Sequence, residues 1–504
     1  MEHILPAFLQ NLQPEYLLTL ALGTIAGTII GALPGLSAVS GVALLLPFTF
    51  GMPPAQGLIM LAAVYASAEM GGAIPAILMR TPGTSGAAVT TLDGYPMTLK
   101  GHAQEALYLQ LFAGVIGGVF GGIVLLFFTP LLARWSLLLG PAEYFWLSVA
   151  GLALVGTLSS SNIVKGLIGV SLGVLLTIPG QDGITGEMRF TFDTYQMVSG
   201  IPLVPALLGL FAVASILDLL EQRGGSIAPL IIRKGVVRYV LGRMTRMKMV
   251  LGWSSVVGTL VGIVPGAGAS ISAFVAYGEA KRISKHPEEF GKGSWEGVAA
   301  PECSNNAVVP GAMIPLLGMG IPGSGSAAIM YGALTVHGII AGPRLFTERP
   351  ELAYTFMVGL MFTVVAMLIF GLLTVRYSSL IVKVPVRFLV PSVLALAMVG
   401  TFGLNNSLFD VGVLLVIGVV GYLLAKMGIP AVTIALGLVL GKLLEQSYQR
   451  SVLVGTVESG SVLSYFLSRP IALVLALVAI VVLVSGLIQI FRSREQAPDV
   501  SADA

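Results

Sequence analysis

The chain has 504 residues, of which 56% are hydrophobic and only 10% are charged, and its mean hydropathy is +0.92. Soluble domains carry about 25% charged residues, so this chain cannot cover a water-facing surface and is predicted to be a polytopic membrane protein. The net charge of +3 offers no support for nucleic-acid binding, and one cysteine excludes an intrachain disulfide and a multi-cysteine metal site. The four histidines lack metal-ligand spacing, no cofactor is expected, and the first 20 residues lack the basic segment of a cleavable signal peptide.

Apolar segments follow one another along the chain, many of them about 20 residues long, the length that crosses a ~30 Å hydrocarbon core. We expect an all-α fold with roughly ten to twelve hydrophobic passes, many of them broken. The clearest segments are Leu107–Phe128, Glu143–Gly156, Val164–Ile178, Leu203–Leu220, Ala353–Val375, Leu408–Leu424, Pro430–Leu444 and Ile471–Phe491. The polar stretch Gly180–Met197 is predicted to lie outside the membrane, and residues 492–504 are predicted to form a disordered tail.

Two pairs of stretches share a pattern of helix-breaking residues. GTIIGALPGLSA begins at Gly27, and GTLVGIVPGAGA begins at Gly258, 231 residues later. IPAILMRTPGTSGAA from Ile74 likewise matches IPLLGMGIPGSGSAA from Ile314, 240 residues later and without a gap. The chain is therefore predicted to contain two repeat halves, residues 15–222 and 249–491, joined by a basic linker at residues 223–248.

The distribution of Lys and Arg predicts how the halves are oriented. The linker carries seven Lys or Arg residues and no acidic residue, so it is expected to face the cytoplasm. Further basic residues follow at 281–285, so residues 249–280 are expected to enter and leave on that same side, as a re-entrant hairpin with its tip at Pro265-Gly266. No Lys or Arg precedes Arg80, which places the first copy on the opposite side and predicts inverted repeats.

Pro-Gly pairs interrupt the predicted helices at four places and free backbone groups there. A helix that restarts after a break points unpaired N–H groups and its positive dipole end at an anion, whereas the carbonyls before the break suit Na⁺. The predicted substrate-binding residues are Gly35, Ser37, Gly83, Thr84, Ser85, Gly266, Ser270, Gly323, Ser324 and Ser326. The predicted ion-binding residues are Pro34, Pro265, Glu302, Asn305 and Asn306. The alternative is that Pro and Gly are simply common in membrane helices and that the hydroxyls bond to their own helices.

Other polar residues leave alternatives open. Glu69 is a functional candidate because it lies within a span. Glu302 is an ion ligand, a proton site or an interfacial carboxylate at a helix end, and the sequence does not decide between a functional and a structural role. Arg80 either binds a carboxylate or extends its side chain to the membrane surface. Ser326 and His337 suggest an intramembrane hydrolase, but eleven residues on one helix place them about three turns apart, too far for a hydrogen bond. No enzymatic activity is expected.

Motifs along almost the whole chain resemble the large membrane subunit of the tripartite tricarboxylate transporters, the TctA family. The motifs are GALPGL (Gly31–Leu36), LDGYPM (Leu92–Met97), GPAEYF (Gly140–Phe145), RFTFD (Arg189–Asp193), GIVPGAGA (Gly262–Ala269), FGKG and GVAAPE (within Phe290–Glu302), NNA (Asn305–Ala307), GIPGSG (Gly320–Gly325) and LVLGKLLEQ (Leu438–Gln446).

The resemblance implies an inner-membrane permease that imports small di- and tricarboxylates such as citrate, with Na⁺ as the coupling ion. It also implies two partners, a small four-helix membrane subunit and a periplasmic binding protein that delivers substrate. A stand-alone carboxylate transporter or cation/proton exchanger is the alternative at this stage.

Overall fold

The computed structural model describes residues 2–159, 162–221, 232–381 and 386–495. Almost all of the regular structure is helical, and the strands in the described residues are β1 (Gly180–Gln181) and β2 (Met188–Arg189), paired antiparallel with Gly180 opposite Arg189. The predicted all-α membrane fold is confirmed. Contacts divide the chain into two compact units, one formed by residues 1–137 and 202–423 and the other by residues 138–201 and 424 onward.

The larger unit contains most of the helices. In its first segment these are α1 (Ile4–Asn11), α2 (Pro14–Ala32), α3 (Ala38–Leu45), α4 (Pro54–Met79), α5 (Thr91–Leu99) and α6 (Ala103–Ser136). Its second segment holds α9 (Leu203–Leu208), α10 (Ala214–Glu221), α11 (Val236–Met244), α12 (Lys248–Ile263), α13 (Gly268–Ile283), α14 (Trp295–Met319), α15 (Gly325–Val336), α16 (Arg344–Glu348), α17 (Pro350–Thr374), α18 (Ser378–Ile381), α19 (Val386–Asn405) and α20 (Leu408–Lys426), which ends just past the unit boundary. A π-helical stretch, Gly209–Val213, joins α9 to α10, and short 3₁₀ turns cover Leu46–Thr49, Ser85–Ala88, Pro287–Glu289 and Val375–Tyr377.

Two buried helices, α4 and α14, form the centre of this unit. α2 packs along α4, while α6, α12 and α13 pack along α14. Small residues allow the backbones to approach closely, because a Cβ at Gly27 of α2 would lie only 2.5 Å from the carbonyl oxygen of Val64 on α4. Such stripes of small residues take the place of hydrophobic driving force between membrane helices. This close packing surrounds α4 and α14, the helices that precede two of the chain breaks.

The smaller unit is built from α7 (Pro141–Leu158), α8 (Ile163–Leu175), β1, β2, a 3₁₀ turn at Tyr195–Met197, α21 (Ala431–Glu458), α22 (Val462–Ser468) and α23 (Pro470–Glu495). α21 and α23 both pack on α7, and α21 also packs on α8. In the polar segment around β1, the Asp182 carboxylate accepts hydrogen bonds from the Thr185 backbone, the Gln449 side chain and the Ile184 backbone, which hold the pKa of that carboxyl well below its usual range.

Within the described residues, seven helices are long and apolar enough to cross a membrane, or eight if the bent pair α22 and α23 forms one span. Shorter apolar helices of 10–17 residues add to them at Ala38–Thr49, Ile163–Leu175, Lys248–Ile263, Gly325–Val336 and Val390–Asn405. The hydrophobic passes counted in the sequence therefore combine long spans with half-length helices, and the protein is a multi-pass membrane protein.

The two predicted repeat halves have different boundaries from the two contact units. Of the predicted linker, residues 223–231 lie outside the described residues, and the rest contains α11 and the start of α12. α23 continues to Glu495, and residues 496–504 of the predicted tail lie outside the described residues. The boundaries of the halves, the cytoplasmic linker and the inverted orientation stay predictions.

Candidate functional site

Each Pro-Gly pair lies where a helix of the larger unit ends. We call these interruptions break 1 (residues 33–37, between α2 and α3), break 2 (residues 80–84, after α4), break 3 (residues 264–267, between α12 and α13) and break 4 (residues 320–324, between α14 and α15). At breaks 1 and 3, Gly35 and Gly266 have φ values of 90° and 83°, which residues with a side chain rarely adopt. The sequence motif thus marks true helix ends.

The two sequence copies make the same backbone contacts. A Cβ added at Gly83 would overlap the carbonyl oxygen of Gly31, and one added at Gly323 would lie 2.5 Å from the carbonyl oxygen of Gly262. Gly31 and Gly262 are 231 residues apart, and Gly83 and Gly323 are 240 apart, as the sequence offsets require. The sequence duplication therefore corresponds to a duplicated local structure.

The four breaks form one cluster inside the larger unit. The Gly266 N–H donates to the Gly323 carbonyl at 3.2 Å, which joins breaks 3 and 4. Gly83 lies against the end of α2, which joins breaks 1 and 2. α15 after break 4 packs on α3 after break 1, and α13 after break 3 packs on the turn Ser85–Ala88 after break 2. The residues predicted from four separate motifs are thus brought together.

Break 2 is bordered by a buried carboxylate and an amide. Glu69 on α4 is only 5% exposed, and its carboxylate lies beside the Thr84 hydroxyl and the amide of Asn305 on α14. The Asn305 amide nitrogen also donates to the Glu69 backbone carbonyl at 3.4 Å. Oxygens Glu69 Oε2, Thr84 Oγ1 and Asn305 Oδ1 are buried without a hydrogen-bond partner. Each unsatisfied buried group costs about 1–3 kcal/mol, so this cluster is suited to a ligand.

A second buried carboxylate lies nearby on α14. Thr90 donates a short hydrogen bond to one oxygen of Glu302, and the other oxygen, Oε2, has no partner. The Asn306 amide nitrogen donates to the Glu302 backbone carbonyl at 3.0 Å, one turn earlier in the same helix, and its Oδ1 is likewise unpartnered. Glu302 is fully buried inside α14, so it is not the carboxylate at a helix end that was considered from the sequence.

Break 4 is bordered by hydroxyl groups instead. The Tyr65 hydroxyl of α4 lies 3.2 Å from the Ser324 hydroxyl and beside Ser326. Ser324 also accepts from the Ala327 N–H at 3.2 Å and so caps α15. Sequence reasoning missed Tyr65, although the 240-residue offset aligns it with Asn305 and could have revealed it.

Other predicted residues serve their own helices or lie near the surface. Ser37 caps α3 by accepting from the Ser40 N–H at 3.1 Å, and its hydroxyl bonds to that of Ser40, which in turn bonds to Ser215. Ser270 is half-buried and Ser85 is exposed. For Ser37, the alternative that hydroxyls bond to their own helix therefore holds.

Ser326 and His337, the pair considered for a hydrolase, lie at opposite ends of one helix. Ser326 lies in the first turn of α15, and His337 follows the last residue of that helix. No cluster of three or more His, Cys, Asp or Glu that could hold a metal ion occurs in the described ranges. Arg80 is exposed at the end of α4 with a left-handed φ of 58°.

A further residue missed by sequence reasoning fixes the loop after α13. Asp93 on α5 is fully buried, and its carboxylate accepts from the N–H groups of Gly291, Gly293 and Ser294 at 2.7–3.1 Å. The Tyr277 hydroxyl donates to it at 2.9 Å. The only sequence signal was its motif LDGYPM. Asp93 therefore attaches the loop between α13 and α14 to α5, the helix that follows break 2.

Comparison with known proteins agrees with this architecture. Residues 17–436 match the family described as the Tripartite tricarboxylate transporter TctA family. An uncharacterized 52.8 kDa protein in the TAR-I ttuC' 3'region of Agrobacterium vitis is 34% identical over 98% of this chain and 97% of its own length. An uncharacterized protein in the TAR-II ttuC' 3'region of the same organism is 33% identical over 49% of this chain and 100% of its own length. No solved structure matches the chain. The chain is therefore a member of the TctA family, a membrane subunit of a tripartite tricarboxylate transporter.

Proposed function

We propose that this protein is the permease subunit of a Na⁺-coupled importer of small di- and tricarboxylates, citrate among them, in the bacterial inner membrane. A small four-helix membrane subunit and a periplasmic binding protein complete the transporter, and the linker at residues 223–248 faces the cytoplasm. Family membership supports the transport of tricarboxylates by several subunits.

The observation that carries the proposal is the convergence of four helix breaks on one buried cluster. Half-helices that begin there, such as α13 and α15, direct backbone N–H groups and positive dipole ends toward bound carboxylates. Hydroxyls of Ser324 and Ser326 add donors of the same kind. Irregular backbone at membrane depth is tolerated where it lines a cavity or is enclosed by protein, and secondary transporters use such discontinuous helices to bind substrate and ion.

The coupling ion provides charge balance in this scheme. A tricarboxylate brings several negative charges toward a region that already contains Glu69 and Glu302, neither of which forms an ion pair with a basic side chain of the described residues. Cations bound to the carbonyl, amide and carboxylate oxygens of this region offset that repulsion. Substrate and Na⁺ are therefore bound more favourably together than separately.

Uptake of a radiolabelled carboxylate panel tests the proposal. Cells expressing this chain are assayed with and without the binding protein and the small subunit, first in Na⁺ and then in K⁺ at equal ionic strength. We expect uptake in Na⁺ only when all three proteins are present. Uptake by the chain alone would indicate a self-sufficient transporter, and failure of every carboxylate despite verified assembly would contradict the proposal.

A further inference from the structure

The side chains at break 2 have the composition of a cation site, whereas those at break 4 do not. Glu69, Thr84 and Asn305 contribute a carboxylate, a hydroxyl and an amide oxygen, and each residue is at most 5% exposed. All three retain a buried oxygen without a hydrogen-bond partner. Buried polar atoms without a partner are rare in folded proteins, and two of these, Glu69 Oε2 and Thr84 Oγ1, are on neighbouring side chains, where they are available to a ligand.

The electrostatics of the cluster favour a positive ligand. No ion pair to Glu69 occurs among the described residues, and a second buried carboxylate, Glu302, lies on α14 three residues before Asn305. An isolated carboxylate in a low-dielectric interior is very unfavourable unless a bound cation or a proton neutralises it, and the test below distinguishes the two. The three unpartnered atoms are all oxygens, the ligands preferred by hard cations.

The equivalent position in the second copy lacks these features. The residue equivalent to Glu69 is Val309, and the residue equivalent to Asn305 is Tyr65. Tyr65 and Ser324 already bond to each other at 3.2 Å. In the part of the chain that the structure describes, the second copy therefore has no carboxylate at the position equivalent to Glu69, although the backbone contact of break 4 matches that of break 2.

We infer that Glu69, Thr84 and Asn305 form the binding site for a small monovalent cation, with Glu69 as its charge-neutralising ligand. The role of this cation in transport rests on the proposed function, whereas its binding to the site does not. It identifies break 2 as the cation site and adds two ligands, Glu69 and Thr84, that the sequence did not assign to an ion.

Direct binding of Na⁺ by the purified transporter complex tests the inference. Thermal unfolding is followed while NaCl replaces choline chloride at constant ionic strength, because a ligand that binds only the folded state raises the unfolding temperature as its concentration increases. We expect Na⁺ to raise the unfolding temperature of the wild type but not that of Glu69→Gln. Glu105→Gln is the matched control, because Glu105 is also 5% exposed but has His102 and Arg233 as partners.

Thr84 provides a second test if Glu69→Gln does not fold. Thr84→Val keeps the shape of the side chain and removes only its oxygen. We expect this variant to raise the half-saturating Na⁺ concentration about tenfold, which is at the lower end of the effects seen for groups that support metal sites. Thr84→Ser keeps the oxygen and should restore near wild-type affinity. If Thr84→Val binds Na⁺ with the same affinity as Thr84→Ser, the inference is overturned.

The remaining outcomes separate this inference from the proposed function. Absence of Na⁺ stabilisation in the wild type, or stabilisation that follows pH and not Na⁺, overturns the cation site. Na⁺-dependent citrate uptake that is unchanged in Glu69→Gln and Thr84→Val also overturns it but leaves the proposed function intact. Na⁺ binding that these variants remove, in a complex that takes up no carboxylate, supports the site and contradicts the proposed function.

Discussion

Breaks 2 and 4 have matching backbones but different side chains. At both breaks a glycine lies close to the carbonyl oxygen of another glycine. The pair is Gly83 and Gly31 at break 2, and the equivalent pair is Gly323 and Gly262 at break 4. About three helical turns before the end of the preceding helix, the first copy has Glu69 where the second has Val309. The backbone contact of the repeat is thus retained while its polarity differs, which is the basis for proposing a separate chemical task for each break.

The contacts across the two copies are reciprocal. Tyr65 on α4 reaches Ser324 at break 4, and Asn305 on α14, its equivalent, lies beside Glu69 and Gly86 next to break 2. Each copy therefore supplies one side chain to the break of the other. This reciprocity shows why neither half of the cluster is complete without the other half of the chain.

The shared backbone is tested by Gly83→Ala and Gly323→Ala, for which we expect the largest effects. Each added methyl group overlaps a backbone carbonyl oxygen, so the helices must separate. We expect loss of citrate uptake and a decrease of about 1–3 kcal/mol in the free energy of unfolding, as for other overpacked sites. Transport assays at matched expression and thermal unfolding measure these effects.

Gly278→Ala is the control for this pair. Gly278 lies on the exposed side of α13, and a Cβ there would meet nothing within 4 Å. Because Ala favours helix over Gly by roughly 0.8–1 kcal/mol, this variant should be as stable as the wild type or more so. Wild-type uptake by one of the two break variants would mean that only the other break depends on close backbone contact.

Asn305→Ala tests the polar side of break 2. The substitution removes the unpartnered Oδ1 and the contact to Glu69, so we expect lower uptake and a half-saturating Na⁺ concentration raised about tenfold. Membrane expression should be unchanged. Uptake measured across a Na⁺ series gives the result, and unchanged activation by Na⁺ would remove Asn305 from the ion site.

Tyr65→Phe tests the hydroxyl side of break 4. Hydrogen bonds to charged groups contribute about 1.5–3 kcal/mol, so loss of this donor should raise the KM for citrate about tenfold or more. The half-saturating Na⁺ concentration should stay near the wild-type value, opposite to Asn305→Ala. Tyr448→Phe, at an exposed tyrosine of the smaller unit, serves as the control. Equal effects of Tyr65→Phe on citrate and Na⁺ would show that the two breaks do not divide these tasks.

The sequence predicted the breaks because Pro and Gly act on the backbone at their own positions. It could not predict which side chains meet across helices, since Asn305 and Glu69 are 236 residues apart and come together only through the packing of α4 and α14. Glu69 stood out in the sequence as an ionisable residue without an equivalent in the second copy. The structure shows that this asymmetry is what distinguishes break 2.

The smallest expected effects concern the residue that ends each central helix. Arg80 and Gly320 are equivalent and both have left-handed φ values, 58° and 78°. This conformation costs a residue with a side chain roughly 1–2 kcal/mol, so Gly320→Ala should destabilise the protein by about that amount, and Arg80→Gly should leave it unchanged or slightly more stable. Thermal unfolding of the two variants measures the difference.

Citrate uptake by Arg80→Gly then decides between the two interpretations of this exposed arginine. Wild-type KM supports a side chain that reaches the membrane surface, whereas a large increase in KM would mean that its guanidinium binds the substrate.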